Sequence, residues 1–159
     1  MYARDHGVIA TPIGPVRVEG SEDMLVSVAI GGAETPRPVR AAAVRTALEQ
    51  LESWFAGERQ DFDLPLEPLP TSRGTELRAA MIDIGYGETL SYGALARRTG
   101  SSARAIGQLC SRNPFPILVP CHRVLAEGGR LGNYSGGDGP KTKSWLLEHE
   151  RLHSGRTLL

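Results

Sequence analysis

Apolar and polar positions alternate with a period near two at the start of the chain and with a period near 3.6 further on. Val8-Ile9-Ala10-Thr11, Val16-Arg17-Val18-Glu19 and Met24-Leu25-Val26-Ser27-Val28-Ala29-Ile30 read as three short strands. Turn material separates them, Pro12-Ile13-Gly14-Pro15 and Gly20-Ser21-Glu22-Asp23, and the spacing suits antiparallel hairpins. Residues 31–38, with two glycines and two prolines, read as a loop. Over residues 39–55 the apolar positions Val44, Leu48, Leu51 and Phe55 make one helical stripe, and Gly57 ends it. Strands plus one helix predict a small α/β unit with the helix lying on the sheet. Pro65, Pro68 and Pro70 then make a stiff connector. The expected domains are residues 1–70 and 71–159.

The second half reads as mostly helical. Leu77, Met81 and Ile84 share a face of a helix over residues 73–84, stopped by Gly85-Tyr86-Gly87. Ser91 is an N-cap candidate for a helix over residues 92–98. Gly100-Ser101-Ser102 is a tight turn, and residues 103–111 form the next helix. Ala96 four residues before Gly100, and Ile106 six after it, fit a helix-turn-helix. A plain αα-hairpin inside a core has the same outline and is commoner. Asn113-Pro114-Phe115-Pro116 breaks the helix and leads into Ile117-Leu118-Val119, a buried run of strand type, and then Pro120-Cys121-His122. Residues 140–152 form the last helix, with Trp145, Leu146, His149 and Leu152 on one face and Glu150 a step round; the tail beyond is expected to fray.

Charge changes this picture in one respect. The chain is neutral overall, but residues 1–70 hold 6 Lys+Arg against 11 Asp+Glu, whereas residues 86–134 hold six Arg against only Glu88 and Glu127. Arg97, Arg98, Arg104 and Arg112 surround the two-helix motif, and Arg is the residue suited to phosphate recognition. At 159 residues the chain can build one good core or two small ones. It has no run of about 18 apolar residues. Its start lacks the apolar core of a signal peptide, so an intracellular, cytoplasmic and DNA-associated protein is expected. Two cysteines, Cys110 and Cys121, fit a reducing compartment, and their spacing with His122 matches no common zinc pattern.

A Cys-His pair alone says little, since Cys is among the most buried residue types. A free thiol has a pKa near 8.5, and the thiolate is the nucleophile, so Cys121 would need a partner to ionise it. The glycine-rich stretch Gly132-Asn133-Tyr134-Ser135-Gly136-Gly137 lacks the spacing of a nucleotide phosphate loop. Its glycines let backbone approach a ligand, with Tyr134 and Ser135 as wall groups.

Gly87-Glu88-Thr89-Leu90-Ser91-Tyr92, Ala103-Arg104-Ala105-Ile106-Gly107, Asn113-Pro114, Pro120-Cys121-His122-Arg123-Val124, Gly132 to Gly137, and Trp145-Leu146-Leu147-Glu148-His149-Glu150 occur in one order. Together they resemble the O6-alkylguanine-DNA alkyltransferases, or methylated-DNA–protein-cysteine methyltransferases, over about residues 73–150. The resemblance implies a ribonuclease H-like N-terminal α/β unit and a mostly α C-terminal domain with a helix-turn-helix. It implies direct, irreversible, single-use transfer of an alkyl group from O6-alkylguanine to Cys121 after the damaged nucleotide flips out, with O4-alkylthymine as a further candidate substrate. His122 is then the base acting through a water, Glu150 the carboxylate that orients it, and Asn113 the residue that orders the active-site turn. Arg104 enters the stack in place of the lost base and Tyr92 turns the nucleotide's phosphate. Ser91, Arg112 and Ala103 are further DNA contacts. Tyr134, Ser135, Val124 and Cys110 form the guanine pocket. No cofactor or metal is implied. The implied partner is double-stranded DNA carrying O6-alkylguanine, bound by a monomer or by copies clustered along it.

The chain departs from the family pattern at several places. Leu77 and Met81 stand where aromatics are usual, a Pro before Gly87-Glu88-Thr89 is missing, Gln108 replaces a second Gly, and Cys110 replaces a Met-like wall. The N-terminal half has no cysteines for the zinc site of some relatives. Other readings are a lesion-flagging relative, which would lack the acceptor cysteine, a DNA-binding regulator, and a cysteine hydrolase.

Overall fold

The computed structural model describes residues 4–155, and the chain divides into two compact units, Met1–Glu67 and Pro68–Leu159. In the first unit β1 (Asp5–Ile9), β2 (Val16–Gly20) and β3 (Leu25–Ile30) form an antiparallel sheet in the order β1-β2-β3. Val18 pairs with Gly7 on one side and Val28 on the other. Val16, Val18, Leu25 and Val28 bury the inner face, and α1 (Ala42–Phe55) packs on β1 and β2. Gly7 permits that approach, because a Cβ there would lie 2.4 Å from Leu48 Cδ1 and 2.6 Å from Val39 Cγ2.

The expected boundaries shift for physical reasons. The first strand runs from Asp5 rather than Val8, because Asp5 to Gly7 also find ladder partners on β2. The helix starts at Ala42 rather than Val39, because Ala41 is still extended at φ −66° and ψ 124°. Ala41 has no capping side chain, so distant carboxylates do that work. Asp5 Oδ2 accepts from the backbone N–H groups of Arg40 (2.7 Å) and Ala41 (3.1 Å), and Glu22 Oε2 accepts from Ala42 (3.0 Å). The buried stripe ends on Trp54 rather than Phe55, which turns aside edge-on to it with ring centroids 5.0 Å apart. The Pro-rich connector is not all linker: Leu25 and Leu66 form a parallel bridge, with Leu25 N–H on Pro65 O at 2.8 Å.

This capping carries a pH signature. The N–H groups of Arg40 and Ala41 hold the Asp5 carboxyl down from an ordinary 3.8 to about 2. A depressed folded-state value means the stability is present above the unfolded value and is lost as pH falls towards the folded one. Urea midpoints at pH 5 and 2.5 are expected to differ more in the wild type than in Asp5→Asn. Equal losses in both would show that the cap contributes nothing.

In the second unit α2 (Ser72–Ile82) is capped by Thr71, whose Oγ1 accepts from Gly74 N–H at 3.0 Å. It ends two residues before Ile84, which is buried beyond it. β4 (Leu90–Ser91) leads directly into α3 (Tyr92–Thr99), where Ser91 Oγ accepts from Ala94 N–H. Gly100, left-handed at φ 67°, closes α3 with its own N–H on Arg97 O. Ser102 caps α4 (Ala103–Ser111) through Ala105 N–H. Leu95, Ala96 and Ile106 are the buried faces of α3 and α4, which pack on each other and on α2.

Ile117 to Val119 are buried as expected but do not form a strand. Pro114 and Pro116 remove two ladder donors. Ile117 adopts φ 76°, and Val119 N–H returns to Phe115 O at 2.9 Å, so the segment is a tight turn. A 3-10 turn (Cys121–Arg123) follows, then β5 (Val124–Leu125), which pairs in parallel with β4. A second 3-10 turn (Glu127–Gly129) and an irregular stretch lead to α5 (Pro140–Ser154). Its buried residues are Thr142, Lys143, Leu146, His149 and Glu150, while Leu152 is 60% exposed and so is not part of the inner face. The helix continues past Leu152 to Ser154; the expected frayed tail beyond Gly155 lies outside the described residues. Among the described residues no helix is long and apolar enough to cross a membrane.

Candidate active site

Cys121 opens the 3-10 turn and is 4% exposed. Its backbone is fixed by its N–H on Val119 O (2.8 Å) and by Arg123 N–H on Pro120 O (3.0 Å). Its sulfur accepts from Asn113 Nδ2 at 3.2 Å. The same Nδ2 also reaches Val119 O (3.1 Å), and Asn113 Oδ1 accepts from Phe115 N–H (3.0 Å). One amide therefore ties the end of α4, the proline turn and the thiol together. Burial pushes the Cys121 thiol up, and Asn113 and the Lys143 ammonium act against that.

Behind the thiol lies a buried ionic network. His122 Nε2 is 2.7 Å from Glu150 Oε2. Arg123 grips the same carboxylate with Nε at 2.9 and 3.1 Å and Nη2 at 2.8 Å. Gly87 N–H donates to Glu150 Oε1 at 3.1 Å, and Arg123 Nη1 donates to Ile84 O at 2.6 Å. Burial alone would raise the Glu150 carboxyl, but His122 and Arg123 outweigh it and hold it at about 2. Burial lowers His122 despite Glu150, so the ring is neutral. An ionised carboxylate only accepts, so Nε2 carries the ring proton and Nδ1 is the basic nitrogen.

In front of the thiol a cavity of about 650 Å³ opens between α3, α4 and the glycine-rich loop. It gathers Tyr92, Ala103, Arg104, Cys110, Cys121, Tyr134 and Ser135. Arg104 and Ala103 are exposed at the start of α4. Burial, then the two cysteines, push the Tyr92 hydroxyl up to about 12, so it stays a proton donor at neutral pH. Burial also pushes Tyr134 upward. Cys110 is raised to about 12 by burial first and Cys121 second, and no hydrogen bond to its sulfur like that of Asn113 to Cys121 is found among the described residues.

Three of the residues expected as DNA contacts or pocket walls stand outside this cavity. The Ser91 hydroxyl is occupied in capping α3. Val124 is fully buried, and its carbonyl accepts from Lys143 Nζ at 2.7 Å. Exposed Arg112 lines a separate cavity of about 320 Å³ towards α2. Two further residues were not singled out from the sequence. Arg123, counted there only among the six Arg of residues 86–134, is internal and pairs with Glu150. Lys143 is fully buried; its spacing of three and seven from Leu146 and Glu150 places it on their helix face and was a readable signal.

Comparisons with known proteins follow the same lines. Residues 75–152 match the family model described as 6-O-methylguanine DNA methyltransferase, DNA binding domain. The chain is 36% identical over 158 residues to a methylated-DNA–protein-cysteine methyltransferase of Mycobacterium tuberculosis, covering 94% of this chain and 95% of that protein. It is 40% identical over 146 residues to a DNA base-flipping protein of Thermus thermophilus, covering 89% and 97% respectively. The crystal structure of Mycobacterium tuberculosis OGT in complex with DNA is similar with a TM-score of 0.81 and 36% identity, covering 93% of each chain.

Proposed function

The chain belongs to the methylated-DNA–protein-cysteine methyltransferases, and from that premise we propose that it repairs DNA by moving the alkyl group of an extruded O6-alkylguanine onto Cys121. The observation that carries the assignment is one sulfur facing two ways. On one side it lines a cavity together with Arg104, and on the other it is held by Asn113, with the next residue of the same turn a buried histidine locked to a carboxylate.

The atom to be removed is buried in a base stack, so the nucleotide must leave the helix at a cost of a few kcal/mol. α3 and α4 act as a helix-turn-helix on double-stranded DNA, with Arg104 filling the gap and the exposed Arg97, Arg98 and Arg112 near the backbone. Backbone contacts of this kind supply affinity without reading sequence. The N-terminal unit, a three-stranded sheet with one helix, is the reduced ribonuclease H-like part. One protein molecule acts on one lesion.

In the transfer, His122 Nδ1 takes the Cys121 proton through a water. The thiolate attacks the alkyl carbon in line, the S–C bond forms, and the C–O6 bond breaks. The electron pair stays on guanine, and the Tyr92 hydroxyl donates a proton to ring N3. His122 then returns the thiol's proton to Tyr92. The product thioether has no carbonyl for water to attack, so the cysteine is not regenerated.

The relative named as a base-flipping protein favours a second reading, in which lesions are bound and not repaired. Cys121, held by Asn113, speaks against it. Incubation with duplex containing O6-methylguanine, followed by intact mass, separates the two. One methyl per chain is expected, absent in Cys121→Ala. Binding without mass gain in the wild type would establish the second reading.

A further inference from the structure

Lys143 is fully buried on α5. Its Nζ donates to Val124 O at 2.7 Å and to Asn133 O at 3.4 Å, and it stands 5.8 Å from the centre of the Tyr92 ring. Val124 is the residue after the 3-10 turn that carries Cys121, and Asn133 precedes Tyr134. Among the described residues no carboxylate pairs with this ammonium; its recorded partners are two carbonyls and a ring face. A buried cation with only neutral partners is costly, and a helix can place a leucine or methionine there at no such cost. Its retention calls for an anion that exists during function.

We propose that Lys143 is the positioning residue of the acceptor site: its ammonium ties the turn that carries Cys121 to the glycine-rich loop through the Val124 and Asn133 carbonyls, and its charge favours the ionised form of the Cys121 sulfur. This rests on Cys121 being the alkyl acceptor. The titratable groups facing Lys143 are Tyr92 from α3, Cys110 from α4, and Cys121 and His122 from the 3-10 turn. Of these only the cysteines and Tyr92 can become negative, and Cys121 is the one whose sulfur is also served by a hydrogen-bond donor, Asn113 Nδ2 at 3.2 Å. Neutral His122 supplies no charge. The lysine therefore provides the fixed positive charge that the Cys-His-Glu arrangement lacks.

The test uses full-length wild type, Lys143→Met, which keeps the volume, and Lys143→Gln, which keeps donors but no charge. The pH profile of iodoacetamide alkylation is read on the Cys121 peptide. In both variants its midpoint is expected to rise by about one pH unit, and methyl uptake from O6-methylguanine duplex at neutral pH to slow about tenfold, as for removal of an opposite charge close by. An unchanged midpoint in either folded variant overturns the proposal. A second measurement needs no lysine variant. The chain has only two lysines, Lys141 and Lys143, so their ¹³Cε resonances are separable. In Cys121→Ser the Lys143 amine is expected to titrate at lower pH than in the wild type, with Lys141 unmoved; identical titration overturns the pairing. A wild type that takes up no methyl yet shows the coupled titration would remove the repair reading and leave the lysine–thiol pair standing. Methyl uptake without coupling would do the reverse.

Discussion

Glu150→Ala is expected to cost on the order of 3–5 kcal/mol of folding stability, the range for breaking a buried ion pair from one side. The carboxylate accepts from His122, from three contacts of Arg123, and from Gly87 N–H, all out of water. Removing it leaves Arg123, 6% exposed, with a full charge and only Ile84 O and the Tyr86 ring face to meet it. It also frees the turn at Gly87 from α5. A domain of this size has roughly 5–15 kcal/mol in total, so the variant would be marginal at 37 °C. Glu150→Gln keeps an acceptor for Gly87 and Arg123 and should lose less. Urea unfolding of both variants measures this. A Glu150→Ala loss under about 1 kcal/mol would mean the network is solvated in solution.

Arg104→Ala is expected to separate DNA handling from chemistry. Arg104 is exposed, second in α4, and at the rim of the cavity that holds Cys121. No hydrogen bond anchors its guanidinium among the described residues, so it is available to a base stack. Extruding a base costs a few kcal/mol, and a side chain in the gap offsets part of it. Losing about 2.7 kcal/mol of that compensation slows duplex repair roughly a hundredfold. Free O6-benzylguanine needs no extrusion, and its reaction should change by less than about threefold. Equal losses on both substrates would place Arg104 in the pocket chemistry instead.

Much of this site was legible in the residues because its signals are local. Ser91, Gly100 and Ser102 mark helix ends by their own backbone chemistry, and the helices appear where those residues put them. Cys121, Arg104, Tyr92 and Tyr134, named from motif order, line one cavity. The misses share a different cause. The N–H groups of Ala41 and Ala42 are met by Asp5 and Glu22, far along the chain, so no local pattern marks the start of α1. Ile117 to Val119 have strand composition, but flanking prolines and the long-range need to present Cys121 override it. Arg123 was counted only among the arginines of its segment, because residue type gives no burial, and its tertiary partner Glu150 distinguishes it. Lys143 went unread although its place on the face of Leu146 and Glu150 marked it as internal.

The central claim is that one sulfur, held by Asn113 beside the His122–Glu150 pair, is consumed by the lesion. Peptide mapping after reaction with a molar excess of O6-methylguanine duplex tests this most directly, because two thiols share the cavity. The account predicts one methyl, on the peptide containing Cys121, with Cys110 unmodified and uptake stopping at one equivalent. Methyl on Cys110, or demethylation continuing beyond one equivalent of protein, would contradict it.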